Sequence, residues 1–387
     1  MIYVGIDVAK NKHDCFIVDS EGEIIHNVFT FKNSRQGFNL LLQTIPDVSH
    51  SQILIGLEAT GHYSNNLINF LTENNLPVII LNPLQTSLFR KAQTLRKTKT
   101  DSVDAKTITM MLRTGDFKSH SPVSYHHREL KSLSRHRSRL VKTRASYKMS
   151  ITRLLDIVFP ELPALVWSIH QASVYQLLLA FPNTREIADA HLTKLTHVLS
   201  KASHGRYGKE EAVAIRDSAR TSIGTCSPSL SYELKQTIHL IQNLQNEIKE
   251  LDQIIEQLVG ELNSPLLSIP GISHRLAAVI LSEIGDITRF ESPAKLLAFA
   301  GLDPSTHQSG KFTATQTRMV KRGSPYLRWA LLQAARLIVM RDATFKEYYK
   351  KKRSEGKHHY VALSHTTKKL IRVIFKLLSS NQNYVEQ

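Results

Sequence analysis

The first 116 residues combine two sequence periodicities in an order that restricts the fold of this part of the chain. Three short runs rich in β-branched residues come first, YVGIDVA, HDCFIVD and EIIHNVFTF, separated by the dipeptide NK and by a turn at 20–22. They are followed by the amphipathic segment GFNLLLQTI, the apolar run QILIGLE, the amphipathic segment SNNLINFLTEN and the apolar run PVIILNP. This order predicts a three-stranded antiparallel meander followed by β-α units on one mixed sheet, that is, an α/β domain.

Such an order of strands and helices is typical of RNase H-like domains, with actin-type ATPases as close topological relatives. An actin-like sugar or protein kinase is therefore one functional hypothesis, because the opening GIDVAK permits it. However, no later segment looks like the second glycine-rich phosphate loop of such kinases, and a net charge of +17 suits a small anionic substrate poorly. The sequence therefore favours the RNase H-like alternative.

The positive charge of the chain indicates a polyanionic partner. With a net charge of +17 and an isoelectric point near 9.8, clustered Lys and Arg would release the counterions condensed on a nucleic-acid backbone. A membrane surface is the other polyanion, but no stretch approaches the roughly 20 apolar residues of a spanning helix, and MIYVGIDVAK lacks a cationic leader and cleavage site. We therefore expect a soluble protein of the bacterial cytoplasm with no membrane partner.

The two cysteines, Cys15 and Cys226, lie outside any CxxC or Cys/His spacing. The sequence therefore predicts neither a zinc site nor a disulfide framework. Any metal would be a hard cation bound by carboxylates.

One long helical segment, from His126 to about Val158, carries much of the predicted basic surface. A heptad seam runs along it through Leu130, Leu133, Leu140, Ile151, Leu154 and Val158. Glu129 is the only acid before Asp156, whereas the basic residues are Arg128, Lys131, Arg135, Arg137, Arg139, Lys142, Arg144, Lys148 and Arg153. A solvated basic helix face is the simpler interpretation, but with so little compensating acid the sequence favours a nucleic-acid-binding surface.

A second heptad pattern predicts a coiled coil. Its positions are Leu234, Ile241, Leu244, Ile248, Leu251, Ile255, Leu258 and Leu262, with Thr237 as the one break. The pattern implies a partner helix, which is either in another subunit or is the earlier basic helix folded back.

The remaining chain is predicted to be helical. LLSIPGISHRLAAVILSEIGDI has the pattern of a helix-hairpin-helix whose free backbone N–H groups would hold a DNA phosphate, although an ordinary helical hairpin fits equally well. Residues 341–376 carry eleven Lys or Arg against three acids. We therefore expect an α/β domain at 1–116, a helical linker with the basic helix and coiled coil at 117–263, an all-α domain at 264–345 and a basic tail at 346–387.

Four carboxylates stand at positions that an ordinary surface role explains poorly. Asp7 lies inside the first apolar strand, and Glu58 ends the run ILIGLE, at the end of a strand where open α/β sheets place their sites. Asp101 and Asp104, within KTKTDSVDAK, share one face of a helix, although either alone would also suit an N-cap or an ion pair. If the four converge at one sheet edge, they would bind two Mg²⁺ ions about 4 Å apart, which activate a nucleophile and stabilise the leaving oxygen of a phosphodiester.

GIDVAK, LEATGHY and KTDSVDA, in this order, resemble motifs of DEDD transposases from a bridge-RNA-guided family of insertion sequences, which is related to pilin-gene-inverting recombinases. The resemblance continues through HGRYGKEEAVAIRDSARTSIG and HQSGKFTATQTRMVKRGSPYLRWALLQAARL, so it covers most of the chain. It implies an N-terminal domain similar to RuvC, a Holliday-junction resolvase with an RNase H-like fold. In such a domain Asp7, Glu58, Asp101 and Asp104 would bind Mg²⁺.

The resemblance also implies a serine transposase domain at 264–345, in which Ser309 of HQSGK attacks a DNA phosphate and becomes covalently joined to the cleaved strand. Metal held by the RuvC-like domain, from another subunit, would complete that site. The residues alone single out Ser309 only weakly, because Ser-Gly is usually a turn and His307 fits a solvated turn better than a general base. Gln308 stands where some relatives have a second serine.

Donor DNA, target DNA and a noncoding bridge RNA are the partners that the resemblance implies. Base pairing of the RNA would select the sites, while the protein grips nucleic-acid backbones. The basic residues predicted to do so are Lys97, Lys99, Arg128, Lys131, Arg135, Arg139, Lys142, Lys311, Lys321, Arg322 and Arg328. The coiled-coil pattern and the need to cut several strands suggest a homo-oligomer, either a dimer or a tetramer.

Three functional hypotheses remain besides the kinase. A recombinase would use the serine nucleophile and Mg²⁺ to cut and rejoin strands without net hydrolysis. A metal-dependent endonuclease of the resolvase type would use water, and Ser309 would be structural. A noncatalytic RNA- or DNA-binding protein would leave the four acids unexplained, so the sequence favours the recombinase.

Overall fold

The computed structural model describes residues 1–58, 61–93, 101–115, 125–305, 308–309, 312–313 and 319–386, with residues 125–126, 308–309 and 312–313 described by their backbone alone. The chain forms two compact units, Met1–Pro122 and Val123–Gln387. The first unit contains the residues of the predicted α/β domain, whose boundary at 116 stays a prediction. The proposed division of the rest into linker, transposase domain and tail stays a prediction.

The first unit is built on a mixed five-stranded sheet in the order β3-β2-β1-β4-β5. β1 (Ile2–Val8), β2 (Lys12–Val18) and β3 (Ile24–Lys32) form an antiparallel meander, while β4 (Ile53–Glu58) and β5 (Val78–Leu81) continue the sheet in parallel from β1. The predicted mixed sheet is therefore confirmed, and its strand order is consistent with an RNase H-like domain. Because β1 is central, its apolar side chains lie in the core.

The helices of this unit are α1 (Arg35–Thr44), α2 (Asn65–Glu73), α3 (Pro83–Gln93) and α4 (Asp101–Thr114). The Ser34 side chain begins α1 by accepting a hydrogen bond from the backbone N–H of Gly37. Asp101 and Asp104 occupy the first turn of α4, where the partial positive charge of the helix N-terminus favours acids. α4 packs against β1, β2 and β4, so its first turn is fixed relative to the sheet.

The second unit is helical apart from a two-residue hairpin of β6 (Gln308–Ser309) and β7 (Phe312–Thr313), as far as the structure describes it. Its helices are α5 (Tyr125–Val158), α6 (Leu162–Leu165), α7 (Ala172–Ala180), α8 (Thr184–Asp189), α9 (Leu192–Ser203), α10 (Lys209–Arg220), α11 (Pro228–Glu261), α12 (His274–Ile284), α13 (Pro293–Phe299), α14 (Pro325–Arg341), α15 (Ala343–Ser354) and α16 (His359–Ser380).

The two helices with heptad patterns, α5 and α11, pack against each other as an antiparallel pair. Arg153 near the end of α5 lies 2.6 Å from Glu233 near the start of α11, whereas Arg137 pairs with Asp252 farther along α11. Ile255 on the α11 seam is 1% exposed. The partner of the predicted coiled coil is therefore the basic helix folded back, one of the two alternatives that the sequence allowed.

Each end of this helical pair takes part in a separate hydrophobic core. One core joins the C-terminal half of α5 and the N-terminal half of α11 to α7, α9 and α10. The other joins their opposite ends to α12, α14 and α16. Leu370, Ile371 and Ile374 of α16 are buried there, so the segment predicted as a basic tail contributes to a core.

The segment with the helix-hairpin-helix pattern contains one α-helix, α12, preceded by a single 3₁₀ turn at Pro265–Ser268. Gly271 between them has φ +94°, and a Cβ there would lie 2.9 Å from Cβ of Leu337 on α14. The turn therefore needs glycine to pack against α14. Among the described helices, none combines the length and apolarity needed to cross a bilayer.

Candidate active site

Asp7 is the centre of an acidic cluster in the first unit. It lies on β1 between Ile6 and Val8, which are 0% and 4% exposed. Burial, and after it the negative charges of Asp104, Asp101, Glu58 and Asp14 in that order, together raise the pKa of Asp7 from 3.8 to about 6. The structure thus brings the other three predicted acids into electrostatic range of Asp7.

Strand direction places Glu58 beside Asp7. β1 and β4 are parallel, and Ile6 is in register with Leu57, so Asp7 and Glu58 follow at the same edge of the sheet. Carboxyl ends of parallel strands are where open α/β sheets place ligands. The register therefore places Asp7 and Glu58 side by side at this edge, and their role as metal ligands stays a prediction.

Two glycines allow α4 to bring the other acids to this edge. Gly5 on β1 is in register with Gly56 on β4. A Cβ at Gly5 would lie 2.6 Å from the Ala105 carbonyl oxygen of α4, and one at Gly56 would lie 2.6 Å from Leu112 Cδ1. Because neither glycine has a side chain, α4 packs closely against β1 and β4 at this point. Sequence analysis missed this packing surface, although both glycines interrupt apolar strand runs.

Asp14 is a fifth acid of the cluster that sequence analysis also missed. It lies directly opposite Asp7 in the β1–β2 ladder and is 6% exposed. The Thr30 hydroxyl donates a hydrogen bond to one of its carboxylate oxygens. The signal was present in HDCFIVD, because an acid inside an apolar strand is as costly at Asp14 as at Asp7.

Two basic side chains partly neutralise the cluster. Arg90 Nη1 on α3 lies 2.6 Å from Asp104 Oδ1. Lys12 Nζ lies 3.9 Å from Asp14 Oδ2 and 3.8 Å from Asp101 Oδ2, so it bridges the two acids. The contacts of Arg90 with Asp104 and of Lys12 with Asp101 join separate elements, so spacing along the chain did not predict them.

The donor chemistry of the cluster suits a hard cation such as Mg²⁺, which prefers carboxylate oxygens. Within the described residues, however, no three His, Cys, Asp or Glu side chains stand in an arrangement ready to hold an ion. Metal binding would therefore require the acids to draw closer together and Asp104 to exchange its arginine partner.

Ser309 lies in the second unit on β6, where it pairs with Phe312 of β7. Lys97, Lys99 and Lys311 lie outside the described residues. Lys321 and Arg322 follow the hairpin and are exposed.

Arg328 has an internal contact that the sequence did not predict. Its Nη1 donates hydrogen bonds to the carbonyl oxygens of Ala300 and Lys321, each at 3.2 Å. These two residues flank the segment that contains Ser309. Arg328 therefore links the two ends of that segment by hydrogen bonds. Its predicted contact with nucleic acid stays a prediction.

The basic residues of α5 divide into inward and outward groups. Arg135 Nε lies 2.7 Å from Glu283 Oε1 on α12, and Lys131 Nζ lies 3.9 Å from Glu283 Oε2. Glu283 is 3% exposed, whereas the side chains of Arg135 and Lys131 are 39% and 41% exposed, so the acid is internal and the predicted nucleic-acid contacts of the two cations stay predictions. The predicted residues that face solvent on α5 are Arg128, Arg139 and Lys142.

Two family models match the chain. One, described as a transposase model, matches residues 4–160, which include the acidic cluster. The other, described as "Transposase IS116/IS110/IS902 family", matches residues 263–350, which include Ser309. The two matches follow the order of the motifs in the sequence.

Full-length relatives show the same similarity. The "Insertion element IS116 uncharacterized 44.8 kDa protein" of Streptomyces clavuligerus is 25% identical over 390 residues, covering 97% of this chain and 94% of that protein. The "Pilin gene-inverting protein" of Moraxella bovis is 26% identical over 395 residues, covering 99% and 97%. The chain is also 35% identical to the "Insertion element IS110 uncharacterized 43.6 kDa protein" of Streptomyces coelicolor over 124 residues, 32% of this chain and 30% of that one.

Proposed function

Because this chain belongs to the IS110/IS116 family of transposases and is a DNA transposase or recombinase, we propose that it cuts and rejoins DNA through Ser309, with Mg²⁺ held by Asp7, Glu58, Asp101 and Asp104. The observation that carries the metal part is the elevated pKa of Asp7, which four neighbouring carboxylates raise beyond the effect of burial. Carboxylates gathered at one sheet edge repel one another, and a cation that binds as they draw together would relieve this repulsion.

In the proposed reaction the Ser309 hydroxyl oxygen forms a bond to a DNA phosphorus, and the bond from that phosphorus to a sugar oxygen breaks. The serine proton leaves as the sugar oxygen becomes a hydroxyl. A hydroxyl of the joining strand then attacks the same phosphorus and releases Ser309, so no phosphodiester is lost to water. Mg²⁺, when bound, supplies charge stabilisation for the phosphate during this exchange.

We place a noncoding RNA in the same proposal as the guide that selects donor and target DNA by base pairing. The outward-facing Arg128, Arg139 and Lys142 support a role for the protein in gripping backbones. A dimer or tetramer would supply the several cuts that recombination needs.

The test incubates the purified protein with its flanking element RNA, Mg²⁺, and labelled donor and target DNA. We expect an alkali-sensitive protein–DNA adduct and a joined product with the wild-type chain, and neither with Ser309→Ala. Ser305→Ala, in the same segment, is the matched control and should retain both. If Ser309→Ala still cleaves DNA, the resolvase-type endonuclease that uses water replaces the recombinase.

The metal is tested separately with Asp104→Asn, which should abolish strand transfer and leave nucleic-acid binding nearly unchanged. Asp47→Asn, an exposed acid of the same unit, should behave as wild type. Omitting the RNA tests the guide, because joined product formed without it would count against RNA guidance. Unimpaired transfer by Asp104→Asn would count against the assignment of the metal ligands.

A further inference from the structure

The helices α15 and α16 form a hairpin with an unusual concentration of positive charge. Residues 343–380 contain ten Lys or Arg and two acids. The apolar side chains of the hairpin, such as Phe345 and Leu370, are buried at 1% and 0% exposure, so the charge lies on the outside. One of the two acids, Glu355, is already paired with Lys352 at 2.8 Å. The outer surface therefore keeps a strong net positive charge.

A row of aromatic rings lies where the two helices meet. The Tyr349 hydroxyl of α15 lies 2.7 Å from His359 Nδ1 of α16, which links the helices. The ring centroid of Tyr360 lies 5.1 Å from that of His359 and 5.7 Å from that of His358. Tyr360 is nevertheless 69% exposed. Its ring is thus held by two neighbours while remaining open to solvent.

We propose that the α15–α16 corner, defined as Lys350, Lys351, Arg353, His358 and Tyr360, binds an unpaired nucleic-acid strand. Single-strand sites combine cations that follow the backbone with aromatic rings on which bases stack. The corner has both: exposed Lys350, Lys351 and Arg353 in the last turns of α15, and the exposed ring of Tyr360. Its positive charge is complementary to phosphate, and its ring offers a face to a base.

Other polyanions fit the corner less well. Duplex DNA hides its base faces, so it would use the cations and gain little from an exposed tyrosine ring. A membrane surface would need an apolar helix face, whereas the apolar face of α16 is inside the core.

This inference goes beyond the proposed reaction, because strand binding at the corner requires neither Mg²⁺ nor Ser309. Neither family model extends past residue 350, so neither covers Arg353, His358 or Tyr360.

The experiment uses the full chain in EDTA, so that cleavage cannot contribute. Unpaired RNA and DNA of the same sequence, about ten nucleotides long, and the matching duplex carry a fluorophore for anisotropy titration at several salt concentrations. Tyr360→Ala should weaken binding of unpaired strands about tenfold, the scale of one lost stacking contact. Tyr360→Phe should bind as wild type, as should Tyr232→Ala, which removes a tyrosine of similar exposure (65%) from α11.

A triple variant, Lys350→Gln, Lys351→Gln and Arg353→Gln, tests the cations. It should reduce the slope of log affinity against log salt by about 2, since each phosphate contact to a single strand contributes roughly 0.7. Light-induced cross-linking of a 4-thiouridine strand should label the peptide that contains Tyr360.

Two results would overturn the proposal. The first is wild-type affinity of Tyr360→Ala for unpaired strands together with cross-links outside the corner. The second is evidence of a site for polyanions in general. Such evidence would be a loss of duplex binding in Tyr360→Ala equal to its loss of single-strand binding, or displacement of the strand by polyglutamate at matched charge. Because strand transfer is not measured, the outcome is independent of the test of Ser309.

Discussion

The guanidinium of Arg90 contacts the carboxylate of Asp104, with 2.6 Å between Nη1 and Oδ1. The contact joins α3 to the first turn of α4, and the two side chains are 24% and 14% exposed. Asp104 therefore has a cationic partner within the protein before any metal arrives. A metal that uses Asp104 must compete with this arginine.

Arg90→Gln should consequently tighten metal binding. This partly exposed ion pair contributes about 1 kcal/mol, which metal binding at Asp104 would have to offset. Its removal should therefore lower the dissociation constant for Mn²⁺, a spectroscopic substitute for Mg²⁺, about fivefold. Lys91→Gln, which removes an exposed charge from the same helix, should leave the constant unchanged. Titration followed by electron paramagnetic resonance measures both. Equal constants for the two variants would show that Asp104 is not a metal ligand.

Gly5→Ala should damage the acidic cluster without altering any acid. The added Cβ would lie 2.6 Å from the backbone nitrogen of Thr109, so a side-chain rotation cannot relieve the clash. Overpacking of this kind costs about 1–3 kcal/mol, and α4 must move away from β1. Urea denaturation and strand transfer should both be impaired. Gly260→Ala in α11, where a Cβ meets nothing within 4 Å, should be neutral or slightly stabilising.

Asp7→Asn should stabilise the metal-free protein in a manner that depends on pH. Burial and the surrounding acids raise the pKa of Asp7 from 3.8 to about 6. Below pH 3.8 the residue is protonated in both the folded and the unfolded state. As pH rises to about 6, the unfolded state loses its proton first and the folded state loses stability. The asparagine variant avoids this loss.

Screening by solvent limits the free energy of unfolding that Asp7→Asn gains. Two pKa units correspond to at most about 3 kcal/mol, and partial exposure of Asp7 reduces the value. Urea denaturation in EDTA should therefore show Asp7→Asn gaining about 1–2 kcal/mol over wild type between pH 4 and pH 7. A difference that does not change with pH would contradict the raised pKa.

Glu283→Ala should destabilise the second unit strongly. The side chain of Glu283 is 2% exposed, receives two hydrogen bonds from Arg135, and accepts another from the Ser324 hydroxyl at 2.9 Å. Its removal should cost about 2–4 kcal/mol, because Arg135 and Ser324 lose their partner. Glu233→Ala breaks the exposed pair with Arg153 and should cost less than about 1 kcal/mol. Chemical denaturation compares the two, and similar costs would refute the internal role of Glu283.

The seam between α5 and α11 can be tested with adjacent isoleucines. Ile255 is 1% exposed and Ile254 is 51% exposed. Ile255→Ala should cost about 2–5 kcal/mol because it leaves a cavity in the core, whereas Ile254→Ala should be nearly neutral. Thermal unfolding measures the difference. A large effect of Ile254→Ala on the oligomeric state would instead place the exposed face of α11 in a subunit interface.

Local patterns were sufficient to predict the five strands, α1 and α2 of the first unit, whereas α3 was not predicted. Alternation of apolar residues identifies strands because side chains of a strand alternate between faces. The same reasoning located Asp7 and Glu58, since an acid in or just after an apolar strand has few structural explanations. It was applied to Asp7 but not to Asp14, whose position opposite Asp7 depends on the β1–β2 register.

The sequence by itself therefore determined where strands, long helices and heptad seams occur, because these depend on the spacing of neighbouring residues. Only the tertiary structure decided which partners meet: α11 with α5, Arg135 with Glu283, and Arg90 with Asp104. Such contacts join residues far apart in the chain, and their energy depends on burial and distance, which one-dimensional spacing does not contain. For the same reason, the packing surface that Gly5 and Gly56 present to α4 depends on the register of β1 and β4, which places the two glycines side by side.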